Sequence, residues 1–262
     1  MIKFDRFFGG VRKCITMSYD DGVESDKKLI EIFDKYNIRG TFHLNSGFMG
    51  TGNVIPSDEV SEVYKNHEVA VHGTMHHSLT KLPACNIVAE ILEDRRALEK
   101  IVGYPVRGMS YANGLFNEEA VNAIHSCGIS YARTANSIGG WETPENFLKW
   151  NPTCHHNGAM QIIDNFLNWD FQSGFLFYIW GHSFEFDRDN NWDEMEKLCQ
   201  KIAGNSDIWY ATNIEIYDYV IALKQLIVSV DNKIVINPTA HTLWFSCDGD
   251  VLKIEPGQTL TL

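Results

Sequence analysis

From Cys14 to about Lys224, short runs of β-branched and aromatic residues alternate with segments of helical period, the pattern that βα units lay down around a parallel sheet. Strands are expected at 14–18, 39–44, 68–71, 106–111, 129–133, 147–153, 175–181 and 207–212. Between them, Leu29, Ile32, Phe33 and Tyr36 follow Ser25 as a helix N-cap, and Ile87, Val88, Ile91, Leu92, Leu98 and Ile101 run up to Gly103 as a stop. Trp192, Met195, Leu198, Cys199 and Ile202 repeat before Gly204, and Ile214 to Leu223 makes a last helix. These stripes are core that packs on the sheet. A chain of 262 residues buries roughly three quarters of the surface it exposes when unfolded, and needs no staples.

After Lys224 the texture changes. Val228 and Val230, Ile234 to Ile236, Leu243 to Phe245, and Val251, Leu252 and Ile254 are separated by turns at Asp231-Asn232 and Asp248-Gly249, which reads as a β-meander. Such a segment is too small to hold a core alone. Residues 1–224 are therefore expected to form an α/β barrel, with 225–262 packed on it as an extension rather than an independent domain.

Composition excludes several classes. The 44% hydrophobic and 21% charged fractions are those of a globular chain, not of a disordered, collagen-like or mucin-like one. With 22 Lys and Arg against 34 Asp and Glu, the net charge is −12, and no basic run is available to neutralise phosphates, which argues against nucleic acid and anionic membranes as partners. The longest apolar run, Phe175 to Trp180, falls far short of the roughly 20 residues of a bilayer span. Lys3, Asp5, Arg6, Arg12 and Lys13 leave no continuous apolar stretch for a secretion signal, so the chain as given is expected to be cytoplasmic. Six cysteines without a CxxC pair argue against a structural zinc site and read as free, mostly buried thiols. Nothing in the sequence marks an oligomeric state.

Polar residues recur at the same end of the expected strands. Asp20-Asp21 follows the first, and His43 and Asn45 end the second. His72, Thr74, His76 and His77 follow the third, Arg107 to Tyr111 form and end the fourth, and Arg133 ends the fifth. His155-His156, His182-Ser183 and Asn213 follow the last three. In a βα barrel these ends meet at one face, where the active site lies. Seven of the ten histidines fall there.

His72 and His76, at i and i+4, are spaced so that one turn or a tight loop can aim both at a single cation. Catalytic sites for zinc and similar ions take three protein ligands and leave positions open, so a carboxylate is wanted, and Asp20 or Asp21 supplies it from the same face. Mixed oxygen and nitrogen ligands make zinc the first choice, with cobalt, manganese or nickel also suited.

Thr16-Met17-Ser18-Tyr19-Asp20-Asp21-Gly22 resembles the TFDDG motif of the polysaccharide deacetylases, carbohydrate esterase family 4, with their NodB-homology domain. His72-Gly73-Thr74-Met75-His76 is similar to the family's H(S/T)xxH, Arg107-Gly108-Met109-Ser110-Tyr111 to its RxxPY, and Phe177 to His182 to its closing strand that ends in His. The resemblance covers about residues 11 to 224 and implies a distorted barrel, nearer to seven strands than eight. It implies that Asp21, His72 and His76 bind the metal, that Asp20 is the general base and His182 the general acid, that Arg107 orients Asp20, and that the backbone N–H of Tyr111 helps hold the oxyanion. Chemistry agrees: a divalent ion acts as a Lewis acid and makes hydroxide available near neutral pH, a carboxylate accepts a proton, and histidine suits donation to a leaving group.

The chain departs from that pattern. Gly73 stands where the family has Ser or Thr, with Thr74 available as the substitute hydroxyl. Ser110 replaces a proline and Tyr19 a phenylalanine. No clear Asp-Trp motif supports the catalytic histidine, and Asp170 is the only candidate offered for that place. His43, Arg133, His155 and His156 occupy strand ends without an assigned role, His77 is expected to point away, and Trp141 and Trp180 are candidates to stack on sugar rings.

The resemblance implies metal-dependent hydrolytic deacetylation of an N-acetyl or O-acetyl carbohydrate. Two alternatives stay open: a hydrolase of the same machinery acting on C–N bonds of a small amide or cyclic ureide, which a closed pocket would favour, and a non-catalytic sugar-binding protein, motivated by the altered motifs.

Overall fold

The computed structural model describes residues 1–170 and 174–262. A short strand β1 (Ile2–Lys3) precedes β2 (Lys13–Asp20), α1 (Ser25–Lys35), β3 (Gly40–Leu44), α2 (Val60–Val63), β4 (Glu68–Val71), α3 (Ala84–Val102) and β5 (Gly108–Ser110). Then follow α4 (Glu118–Ser126), β6 (Tyr131–Arg133), β7 (Cys154–His155), α5 (His156–Asn168), β8 (Phe175–Gly181), α6 (Phe184–Asp189), α7 (Trp192–Ile202), β9 (Ile208–Tyr210) and α8 (Asn213–Lys224). The chain closes with β10 (Ile227–Val228), β11 (Ile234–Ile236), β12 (Leu243–Cys247), β13 (Asp250–Ile254) and β14 (Thr259–Thr261).

The main sheet is parallel and runs β6-β5-β4-β3-β2-β8-β7, with β9 paired to the first half of β2. It curls, because Trp150, just upstream of β7, bridges back to Arg133 on β6 and brings the two edges together. This is the distorted NodB-type barrel. Central β2 is buried from Cys14 to Asp20, as a strand covered on both faces must be. Leu29, Ile30, Ile32 and Phe33 of α1 and Ile87, Ile91 and Leu98 of α3 join Ile15, Met17, Phe42, Val69 and Val71 in one core. Gly103 ends α3 at φ +76°, in the left-handed region that glycine enters without penalty.

The sixth strand departs from expectation. In place of a strand over 147–153, Phe147–Lys149 form a 3-10 turn in which Asn146 accepts from the Leu148 N–H, Trp150 makes a single bridge, and β7 begins only at Cys154. Asn146 offers the backbone a local partner, and Pro152 has no N–H to pair.

The C-terminal residues are antiparallel strands with a richer pairing than sequential hairpins. β11 lies between β10 and β14, while the β12–β13 hairpin adds β1 from the other end of the chain as its third strand. Val235, Leu243, Phe245 and Ile254 share a second core with Ile216, Tyr219, Val220 and Leu223 of α8. All six cysteines are free, four of them buried. Among the described residues no helix is long and apolar enough to cross a membrane.

Candidate metal and acid-base site

Asp20 is the last residue of β2 and Asp21 the first beyond it, at φ +79°, so the two carboxylates leave the strand in different directions. Asp21 Oδ1 lies 3.6 Å from His72 Nε2 and 3.7 Å from His76 Nε2, and the three donor atoms form one cluster. His72 follows β4, and its Nδ1 faces the Ser110 carbonyl at 3.1 Å, so Nδ1 carries the proton and the Nε2 lone pair points to Asp21. That is the tautomer a ligand histidine needs. Burial pushes His72 down to about 3, which keeps it neutral.

The turn from His72 to His76 is held from behind by α3. Asp94 accepts from the His72 and Gly73 N–H groups, and Glu90 Oε1 accepts from the Met75 N–H. The Thr74 hydroxyl donates to the Glu90 carbonyl at 3.0 Å, taking the steadying role expected of it. Gly73 is glycine for a local reason: its φ is +86°, and a Cβ there would stand 2.9 Å from Glu90 Oε1. His77 turns away and meets Glu90 Oε2 at 3.2 Å.

Asp20 is buried against the barrel interior. Oδ1 accepts from the Ser110 hydroxyl at 3.1 Å and faces His43 Nδ1 at 3.2 Å, while Oδ2 pairs with the Arg133 guanidinium. Burial alone would raise the Asp20 carboxyl, but Arg133, His72 and His43 reverse this and hold it well below the ordinary carboxylate range. Asp21 goes the other way, raised by burial and by the charge on Asp20.

Two expected roles are overturned. Arg107 does not orient Asp20: it precedes β5, at the opposite end of the sheet, and forms a two-pronged pair with Asp218 of α8 at 2.9 and 2.6 Å. The guanidinium on Asp20 comes instead from Arg133, which ends the neighbouring strand β6 and stacks 4.6 Å from the Trp180 ring centroid. The Tyr111 N–H is not free for an oxyanion either, because it donates to the Arg133 carbonyl at 3.0 Å as β5 and β6 continue their pairing. The Tyr111 hydroxyl donates to the Leu148 carbonyl.

His182 follows β8 and places Nε2 4.0 Å from Asp20 Oδ2. Its other nitrogen lies 3.7 Å from Glu185 Oε1, one helical turn on. Burial alone would lower His182; Glu185, Asp20 and Asp21 overturn that and raise it, favouring the protonated ring. Asp170 is not the supporting group: its side chain is 90% exposed beside Arg12, which precedes β2. The signal for Glu185 in the sequence was its i+3 spacing from His182. Glu185 Oε2 also faces His155 Nε2 at 2.9 Å and His156 Nε2 at 3.3 Å.

Asp21, Asn45, Phe48, Val54, Met75, His76 and Phe184 line a groove of about 530 Å³ that opens to solvent. Trp180 stands beside the site, its Nε1 donating to Ser137 Oγ. Trp141 is remote from it, packed on Phe166, Trp169 and Phe175 near the start of β8.

A search of curated proteins by sequence finds no match. Among solved structures, a Mycobacterium smegmatis protein assigned to the polysaccharide deacetylases aligns over 86% of this chain and 96% of its own, at 17% identity and a TM-score of 0.63. A family 4 acetyl xylan esterase from Clostridium thermocellum, in complex with a cobalt ion, aligns over 79% and 91%, at 13% identity and a TM-score of 0.55. The Streptococcus pyogenes deacetylase PplD, in complex with acetate, aligns over 51% of this chain and 61% of its own, at 16% identity and a TM-score of 0.48. The chain thus spans less than two thirds of that protein's length, and at these identities the likeness is one of fold. Residues 10–132, which carry Asp20, Asp21, His72 and His76, match the family model of the polysaccharide deacetylases.

Proposed function

We propose that the protein is a metal-dependent hydrolase that removes acetyl groups from a carbohydrate. The carrying observation is the convergence of Asp21 Oδ1, His72 Nε2 and His76 Nε2 beside an ionised Asp20 and a protonation-prone His182. The donor set fits a divalent cation, because His72 has its Nδ1 proton on a carbonyl and its Nε2 lone pair directed to the cluster. A cation held there would polarise an acyl carbonyl and make hydroxide accessible near neutral pH.

The chain's own groups supply the proton traffic. Asp20, kept ionised by Arg133, accepts a proton from water at Oδ2. His182 Nε2, across from that oxygen, donates to the leaving sugar amine or alkoxide, with the Glu185 carboxylate 3.7 Å from its Nδ1. Since the Tyr111 N–H is committed to strand pairing, the oxyanion is not assigned a donor on β5. The open groove with exposed Met75 suits a glycan better than a small amide, which calls for enclosure.

Acetate release from N-acetylated chito-oligosaccharides and O-acetylated xylo-oligosaccharides, by chelator-stripped protein with and without zinc or cobalt, tests the reading. Metal-restored release supports it and names the linkage. Metal binding without release from either panel points to a small amide substrate, and absence of both points to a sugar-binding protein.

A further inference from the structure

We propose that His155, His156 and Glu185 form a second divalent-cation site, on the far side of His182 from the Asp21 cluster. The inference does not depend on the deacetylase reading, since it rests on a separate set of donors.

His155 and His156 stand where β7 passes into α5, and Glu185 lies in the first turn of α6. Their donor atoms all lie within 4.8 Å of one another. His155 Nε2 and His156 Nε2 are 2.9 and 3.3 Å from the same oxygen, Glu185 Oε2. Adjacent ligands bonded at about 2.1 Å to one ion stand about 3.0–3.4 Å apart for bond angles between octahedral and tetrahedral, so the spacing is that of a coordination shell. The Asp21 cluster is no tighter, at 3.6 and 3.7 Å.

Hydrogen bonding does not account for His156. His156 is 6% exposed, and neither of its ring nitrogens has a hydrogen-bond partner. Leaving such a ring buried and unsatisfied is costly, and a cation would satisfy its Nε2. The ring is also fixed in place. Tyr19 and Phe186 pack against its faces, and Gly181 presses on its Nδ1 edge so closely that a Cβ at 181 would stand 2.0 Å from that nitrogen. Only Nε2 is left to bind, and it points at Glu185.

His155 is half-buried, so water can reach the cluster to complete the shell. Two imidazoles and one carboxylate suit zinc, cobalt or nickel rather than calcium or magnesium. Because Glu185 Oε1 lies 3.7 Å from His182 Nδ1, a cation on Oε2 would fix the carboxylate beside His182.

Zinc stoichiometry tests the proposal without reference to turnover. Chelator-stripped protein is titrated with zinc, and bound metal per chain is read by elemental analysis and calorimetry. The expectation is two equivalents for the native chain, one for His76→Ala and one for His155→Asn. Asn at 155 keeps the side-chain acceptor that caps α5, so the fold is preserved. Glu185→Gln should also bind one, with circular dichroism reporting its fold. A single equivalent in the native chain that His76→Ala abolishes, or two equivalents retained by His155→Asn, would overturn the second site. Loss of binding by His76→Ala reports the first cluster alone, so the two readings fail separately.

Discussion

The Arg133 guanidinium rests on the Asp20 carboxylate with their side chains 1% and 4% exposed, a buried ion pair between β6 and β2, which are not neighbours in the sheet. Removing one partner of such a pair strands the other charge in a poorly solvating interior. Arg133→Ala is therefore expected to cost about 3–5 kcal/mol of stability in a denaturant titration, and to depress deacetylation at least 100-fold. Arg107→Ala breaks only the half-exposed pair with Asp218, with an expected cost of at most about 1 kcal/mol and activity within a few-fold of native. If Arg107→Ala proved the more damaging of the two, the assignment of Arg133 to Asp20 would be wrong.

The donors of the Asp21 cluster and the proton donor should separate experimentally. Asp21→Ala and His76→Ala are expected to lose one bound cation together with activity, whereas His182→Ala should keep that cation and lose turnover, by about 10²–10⁴-fold for a general acid. Metal analysis alongside rate measurement distinguishes them, and a fully active His182→Ala would remove that residue from the acid role.

Asp26 gives a pH signature. Buried, with the Ser183 and Tyr64 hydroxyls on its two oxygens, its carboxyl is pushed up from 3.8 to about 7, chiefly by burial and despite those two bonds. Between these values the folded chain holds a proton that the unfolded chain has released, so this residue's contribution to stability falls as pH rises from about 4 to 7 and is flat above. The span of roughly 3 units corresponds to something on the order of 4 kcal/mol. Asp26→Asn, whose amide can donate to a hydroxyl that turns to accept, should flatten that part of the profile. Unfolding free energies of both proteins at pH 4.5, 6 and 7.5 test this, and parallel profiles would refute it.

Gly108 is required by a close approach. A Cβ there would lie 2.2 Å from the Tyr131 ring, which is fully buried and donates to Glu68 through its hydroxyl. Gly108→Ala is expected to lose about 1–3 kcal/mol in thermal or denaturant unfolding, because neither the ring nor the strand has room to yield.

How far the sequence could be read follows from what each signal reports. The apolar runs at 14–18, 39–44, 68–71 and 175–181 marked strands correctly because they lie in the heart of a sheet buried on both faces, where burial alone sets composition. The Asp21-His72-His76 cluster was legible because the positions that follow parallel strands must meet. Arg107 misled because motif spacing does not say which end of a three-residue strand a side chain leaves from; Arg133, recorded as a polar strand end without a role, held the answer. The commitment of the Tyr111 N–H depends on register between β5 and β6, which no single sequence displays. Glu185 lay within one turn of His182, a signal local enough to have been used.

The pairing of β1 with β12 sets Ile2 opposite Cys247, so the two strands are joined through the whole barrel that lies between them in sequence. During synthesis Ile2 and Lys3 must wait, unpaired, until β12 has emerged from the ribosome. Contacts of such separation form slowly because a long loop must close before they return any energy. The three-stranded sheet is thus expected to be the last part of the protein to assemble, a seam drawn shut after the barrel beneath it has formed.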